Sequence, residues 1–246
     1  MTSSERLLKS ISLNSILHWI SVERNEYKKE SFRLLKSEKM KFDNPKMKEL
    51  VRVVDDTELD KYMVNDFVPY NKRIHNFLET ENYEMERSYV EYDNRYRQLV
   101  CNAILKTEGS DGQPIYGFLR RNSQYTEKSL IGTIGMVGGH VNNVDNTLYS
   151  GLIREVSEEL KGISFEDILI NPLGYIREKT GKIGDQHLCV LYRISVDPSI
   201  YTRIKSKETQ ESLVWMSKDQ LLNQIQCNQR DSNLDSWLHK AMSLLL

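Results

Sequence analysis

At 246 residues, 39% hydrophobic and 28% charged, the chain reads as a globular protein of one large domain, or of one domain with an extension. Its formal net charge of −1 gives no overall field to draw nucleic acid or an anionic membrane surface, and no apolar run reaches transmembrane length. Three scattered cysteines, Cys101, Cys189 and Cys227, lack the spacing of a zinc site or a disulfide framework, and Met1-Thr2-Ser3-Ser4-Glu5 opens no signal-peptide apolar region; a reducing, cytoplasmic location is the expectation.

In chain order, Leu7, Leu8, Ile11, Leu13, Ile16, Leu17 and Ile20 mark a helical stripe over about residues 5–21. A second helix, rich in Glu, Lys and Arg, is expected over about 22–38, before the breaker Asp43-Asn44-Pro45. Residues 49–85 are mixed, with a short strand at Leu50–Val54 and a helix after Asp55-Asp56-Thr57. The chain is accordingly divided into a mainly helical N-terminal extension, 1–85, and a main domain, 86–246, with the N-terminal helices as a candidate homodimer contact. In the main domain, Leu99–Leu105 and Ile115–Leu119 flank a Gly/Asp/Ser turn and predict a hairpin. Ser129–Val137, Ile168–Ile176, His187–Ile194 and Glu211–Met216 predict further strands. The tail, about 217–246, is expected to be helical, with Leu234, Trp237, Leu238, Ala241, Met242 and Leu245 forming an apolar face.

The most informative stretch lies between these strands. Gly138-Gly139-His140-Val141 ends an apolar run, and Arg154-Glu155-Val156-Ser157-Glu158-Glu159 follows on a helix over about 147–161, capped by Asp145 or Asn146. Leu152, Ile153, Val156 and Leu160 form its core face, while Glu155, Glu158 and Glu159 gather about a third of a turn away. Carboxylates this close repel one another and call for a cation. Their oxygen donors suit a hard divalent ion such as Mg²⁺ or Mn²⁺, which points to phosphate chemistry.

This pattern resembles the Nudix hydrolase box, G-x5-E-x7-R-E-U-x-E-E-x-G-U, where U is aliphatic. Gly139 matches the opening glycine, Arg154–Glu159 matches the central core, and the likeness runs over roughly residues 86–246. Gln98-Leu99 and Gly138-Gly139-His140 are most similar to a bacterial branch of predicted phosphoesterases. The box departs from the pattern in three ways. One extra residue lies between Gly139 and Arg154, the first glutamate is absent near Asp145 and Asn146, and Lys161 holds the late glycine position with Gly162 after it.

The resemblance implies an α/β fold: an α/β/α sandwich around a mixed sheet. It also implies Mg²⁺-dependent hydrolysis of a nucleoside diphosphate linked to another moiety, such as ADP-ribose, a dinucleotide or a nucleotide sugar. Glu155, Glu158 and Glu159 with the Gly139 or Gly138 carbonyl become the expected metal ligands, with Mn²⁺ as the alternative ion. Arg154, Glu155 and Glu158 become the catalytic candidates, Arg154 orienting the carboxylates and Glu155 acting as the first choice of base. Glu208 and Glu211 are the downstream alternatives for that base. His140, Arg120 and Arg121 are candidate phosphate contacts, and Tyr175, Arg177 and Trp215 candidate pocket residues. The expected partner is a nucleotide-derived small molecule rather than nucleic acid or membrane. A second reading is a Nudix-fold sensor that binds a nucleotide without cleaving it; the shifted box and the N-terminal extension favour it, and the three intact glutamates oppose it.

Overall fold

The computed structural model describes residues 45–91, 93–125, 128–177, 186–226 and 234–242. The chain divides into two units, Met1–Lys48 and Glu49–Leu246. Pro45–Lys48 of the first unit is a single 3-10 turn, and the helices expected over 5–21 and 22–38 lie outside the described residues. In the second unit, β1 (Leu50–Asp55), α1 (Asp56–Leu59), β2 (Phe67–Pro69), α2 (Lys72–Thr80), β3 (Tyr83–Glu86) and α3 (Arg87–Val90) precede the long strand β4 (Tyr96–Glu108). Then β5 (Pro114–Arg121), β6 (Ile134–Gly135) and β7 (Val137–His140) lead into α4 (Leu148–Glu159). The short β8 (Leu160–Lys161) is followed by β9 (Ile168–Arg177), β10 (His187–Val196), β11 (Lys205–Ser206), β12 (Glu211–Ser217), α5 (Lys218–Gln226) and α6 (Ser236–Ala241).

The main sheet runs β12-β5-β4-β10-β9-β2, and β1, β6 and β7 join it beside β4 and β5. β4 and β10 are parallel, while the other pairs are antiparallel. Strand β4 is buried along nearly its whole length, which is why it reads as a continuous apolar run. Its residues alternate between two cores. Leu99, Cys101, Ala103 and Leu105 pack with Leu148, Leu152 and Val156 of α4 on one face. Val100 and Ile104 pack with Leu221 of α5 and Leu238 and Ala241 of α6 on the other. The result is the expected α/β/α sandwich around a mixed sheet. No helix among the described residues is long and apolar enough to cross a membrane.

Two expectations change. The first concerns the boundary at residue 85: β1 pairs with β3 and β4, and β2 pairs with β9, so residues 50–85 supply strands of the same sheet. The short β-branched run Leu50–Val54 was legible as a strand, but its pairing partner lies far along the chain. The second is the single strand Ser129–Val137. It is a 3-10 turn at Lys128–Leu130 followed by two strands that change partner across Met136, β6 on β5 and β7 on β4. The tail is helical as expected among the described residues, in α5 and α6, and Leu245 lies outside them.

Candidate active site

Helix α4 is set by its own cap. The Thr147 hydroxyl accepts from the Ser150 N–H at 3.0 Å, and the Ser150 hydroxyl accepts from the Thr147 N–H at 2.9 Å, a reciprocal capping box. Leu148, Leu152 and Val156 are fully buried against the sheet and fix the rotation of the helix. Thr147 thus replaces the expected cap, Asp145 or Asn146, because Asp145 is committed elsewhere. Only 3% exposed, it accepts Arg154 Nε at 3.0 Å on one oxygen, and Arg154 Nη2 at 2.9 Å and the Asn142 N–H at 2.7 Å on the other.

Arg154 is the hub. Besides the fork on Asp145, its Nη2 donates to the His140 carbonyl at 2.7 Å, and its Nη1 donates to Glu155 Oε1 at 2.8 Å and Glu158 Oε1 at 3.3 Å. A planar guanidinium with five donors is the side chain that can serve all of these at once. Burial works against its charge, and the Asp145 and Glu155 carboxylates outweigh that and hold it above its ordinary range. In this way one side chain ties the glycine turn, the loop before α4 and the helix face into one geometry.

The glycine turn completes the cradle. An added Cβ at Gly139 would lie 2.5 Å from Glu155 Oε2, so a larger residue would displace that carboxylate. Gly138 has φ +139° and passes against the Cys101 carbonyl, where a side chain would collide. Its N–H donates to Glu159 Oε2 at 2.7 Å. Burial raises the Glu159 carboxyl well above the usual range, the nearby Glu211 raises it further, and the Gly138 N–H and Arg121 offset only part of this. Burial also raises Glu155, with Arg154 opposing. Glu211 comes from β12, which pairs Glu211 opposite Arg121 on β5. Backbone links hold this loop to α4: β11 pairs with β8, and the Lys207 N–H donates to the Glu159 carbonyl at 2.7 Å.

No protein-family model matches the sequence, and no curated protein matches it. Among solved structures, the chain is similar to Tm1382, a provisionally assigned Nudix hydrolase, at 21% identity and a TM-score of 0.61, covering 80% of this chain and 98% of that one. The chain has the Nudix fold. Looser likenesses are to DR0079 from Deinococcus radiodurans (19% identity, TM-score 0.43, 60% of this chain and 82% of that one) and to the NUDIX domain of Shewanella oneidensis NrtR complexed with ADP ribose (18%, 0.40, 52% and 77%). Within the Nudix box, Asp145 stands six residues after Gly139, where the pattern G-x5-E has its first glutamate. It does the work of an anchor for Arg154, and the extra residue of the box falls between the two.

The predicted residues divide into those the fold brings together and those it does not. Arg154, Glu155, Glu159, Gly139, Arg121 and Glu211 converge. Glu158 sits at the rim with its side chain 59% exposed. Arg120 is exposed and alternates to the other side of β5, and Glu208 is exposed in the loop before β12. His140 enters the site through its carbonyl, while its ring turns to the opposite face. There its Nε2 lies 3.1 Å from His187 Nε2, and His187 packs edge-on against Trp237. The candidate pocket residues belong to the interior. Tyr175 is buried with its hydroxyl 3.2 Å from the Asn71 carbonyl, Arg177 is buried in ion pairs with Asp56 and Asp60, and Trp215 packs edge-on against Tyr201. Asp235, which pairs with Arg121 at 3.2 Å, was not anticipated; it lies far along the chain and carries no local motif.

Among the described residues no three His, Cys, Asp or Glu side chains form a ready metal cage. The reason is visible in the partners: Arg154 holds Glu155, the Gly138 N–H holds Glu159, and Glu158 faces solvent. The donor chemistry nonetheless fits a hard divalent ion. The carboxylates Glu155 and Glu159 are half-buried and all oxygen; Glu211 and Glu155 disfavour the charge on Glu159, and Glu158 and Glu49 that on Glu155.

Proposed function

We propose that this protein is a divalent-metal-dependent Nudix hydrolase that cleaves a phosphoanhydride bond in a nucleoside diphosphate linked to another group. The observation that carries this reading is the concentration of Glu155, Glu159 and Glu211 beside the Gly138–Gly139 turn, where burial raises the first two carboxyls despite two nearby arginines. A protein with no use for a cation gains nothing from burying carboxylates that repel. Bound Mg²⁺ or Mn²⁺ supplies charge neutralisation of the diphosphate and a lower pKa for the attacking water. Glu159 and Glu211, with the Gly139 carbonyl, would hold the ion, and Glu158 would reach in from the rim. Glu155, oriented by Arg154 and with its carboxyl raised by burial, would take the proton from the water. ADP-ribose, a dinucleotide or a nucleotide sugar each carries the required linkage.

Phosphate-coupled hydrolysis of a panel of nucleoside-diphosphate derivatives, with Mg²⁺ or Mn²⁺, tests the reading. Turnover that needs metal and falls by at least about a hundredfold in Glu159→Gln is the expected result. No turnover on any compound, together with nucleotide binding in calorimetry, would replace the hydrolase with a nucleotide sensor.

A further inference from the structure

Asp145 stands where the box pattern has a glutamate, and its side chain is one methylene shorter. It still meets Arg154 through both carboxylate oxygens, at 3.0 and 2.9 Å. A shorter arm makes that contact only if its own main chain comes closer, so the loop before α4 has to sit tight against the helix. It does: an added Cβ at Gly151 would lie 3.2 Å from Asp145 Oδ2.

Arg52 of β1 brackets this loop. Its backbone N–H donates to the Val141 carbonyl at 2.8 Å, and its side-chain Nη2 donates to the Asp145 carbonyl. One residue thus grips both ends of the segment 141–145. Between those ends, the Asn143 N–H donates to the Leu50 carbonyl at 3.1 Å, and Asn142 Nδ2 donates to Glu49 Oε1 at 2.6 Å. The loop also closes on itself, with the Asp145 N–H donating to the Asn142 carbonyl at 3.0 Å. Arg52 keeps its place although its Nε is buried without a hydrogen bond. A buried donor left unpaired costs stability, so the placement serves the loop rather than the arginine's own hydrogen bonding. Direct contacts then run from β1 to the helix: Arg52 to the Asp145 peptide, the Asp145 carboxylate to Arg154, and Arg154 Nη1 to Glu155 Oε1 at 2.8 Å.

We propose that Arg52 is a positioning residue: by holding the Asp145 peptide it brings that short carboxylate onto Arg154, and through Arg154 it sets where Glu155 points. The effect on turnover rests on the reading that Glu155 serves a hydrolase; the grip on Arg154 does not. A strand outside the box thereby takes a part in the site, acting only through other residues.

The Arg154 Nε–H reports the grip directly, because it donates to Asp145 and exchanges slowly only while that bond holds. Its ¹⁵N NMR signal is assigned in the full, metal-free chain through the Arg154 side-chain carbons. Arg52→Met keeps much of the side-chain length and removes the donor. Exchange at the Arg154 Nε–H is expected to speed up on the order of tenfold, while the backbone amide of Val156, also in α4, keeps its rate. Turnover, as kcat, is expected to fall on the order of tenfold with KM held within about twofold. Arg52→Lys, which restores a donor, is expected to return both towards wild type.

Unchanged Arg154 Nε–H exchange in Arg52→Met overturns the inference, whatever turnover does. Equal acceleration at the Arg154 Nε–H and the Val156 amide overturns it too, in favour of a general packing role. Should Arg52→Met not fold, Arg52→Gln is read in the same way. Wild-type chain with no turnover on any nucleoside-diphosphate derivative removes the hydrolase reading, and the exchange rates still decide the grip on Arg154. Metal-dependent turnover in wild type, with kcat unmoved in Arg52→Met, overturns this inference alone.

Discussion

Strand β7 looks in two directions, and its two faces are built on opposite rules. At Gly139 the chain meets Glu155, then Arg154, Glu159 and Glu211, a crowd of charges under α4. One residue later His140 turns its ring to the face under α5 and α6, where it meets His187, itself packed on Trp237, beside an apolar core. Both faces are well packed, but only the first gathers half-buried carboxylates that disfavour one another's charge. Stability alone explains the back of the sheet. The front needs a second reason, and the cation-assisted chemistry proposed above would supply one.

The comparison breaks first at Arg154. Arg154→Met leaves the buried Asp145 without its charged partner, and a stability loss of about 3–5 kcal/mol in urea unfolding is expected, with turnover lost alongside. Glu159→Gln sharpens the contrast by separating the two properties. Turnover falls about a hundredfold, while the metal-free chain becomes more stable at neutral pH. The sign follows from the raised carboxyls: between their ordinary value of 4.5 and the higher folded value, the folded chain binds more protons than the unfolded one. Metal-free wild type therefore loses stability as pH rises through that window, and the variant shows a flatter profile in urea unfolding at pH 5 and pH 8.

Smaller effects mark the edges of the contrast. Thr147→Ala removes the α4 cap and costs about 1 kcal/mol by thermal melting, with turnover retained within about threefold because Arg154 still fixes the helix face. His187→Gln, on the back, costs about 1 kcal/mol or less and leaves turnover unchanged. A turnover loss as large as that of Glu159→Gln would show that the two faces are not separate in function.

Much of this was readable in the sequence where the signal is local. The Arg154–Glu159 run and the glycine pair announce themselves by spacing, and β4 by its unbroken apolar character. Asp145 was noticed but read as a cap, since a carboxylate just before a helix usually serves the nearest backbone N–H groups; here a guanidinium nine residues on outbids them. The partner change across Met136 was hidden because strand pattern specifies a face and not a neighbour. Glu211, Arg121 and Asp235 meet only through β12, β5 and the bridge of Leu234 to Ile134, long-range pairings without a sequence signature. His140 shows the remaining limit. The motif drew attention to its ring, yet it is its peptide carbonyl that lies against Arg154.

The pairing of β12 with β5 also bears on how the chain reaches its folded state. Hairpins such as β4–β5 close quickly, whereas contacts between segments far apart in sequence form slowly. Glu211 is delivered to Glu159 by a contact of the second kind. A partly folded chain can hold α4 with Arg154 already clamped on Asp145, yet its carboxylates remain apart until the edge strand docks. The β4–β10 and β2–β9 pairings are long-range in the same way, so the cluster is completed only with the long-range part of the sheet, and a chain that never docks β12 has an incomplete centre rather than a misplaced one.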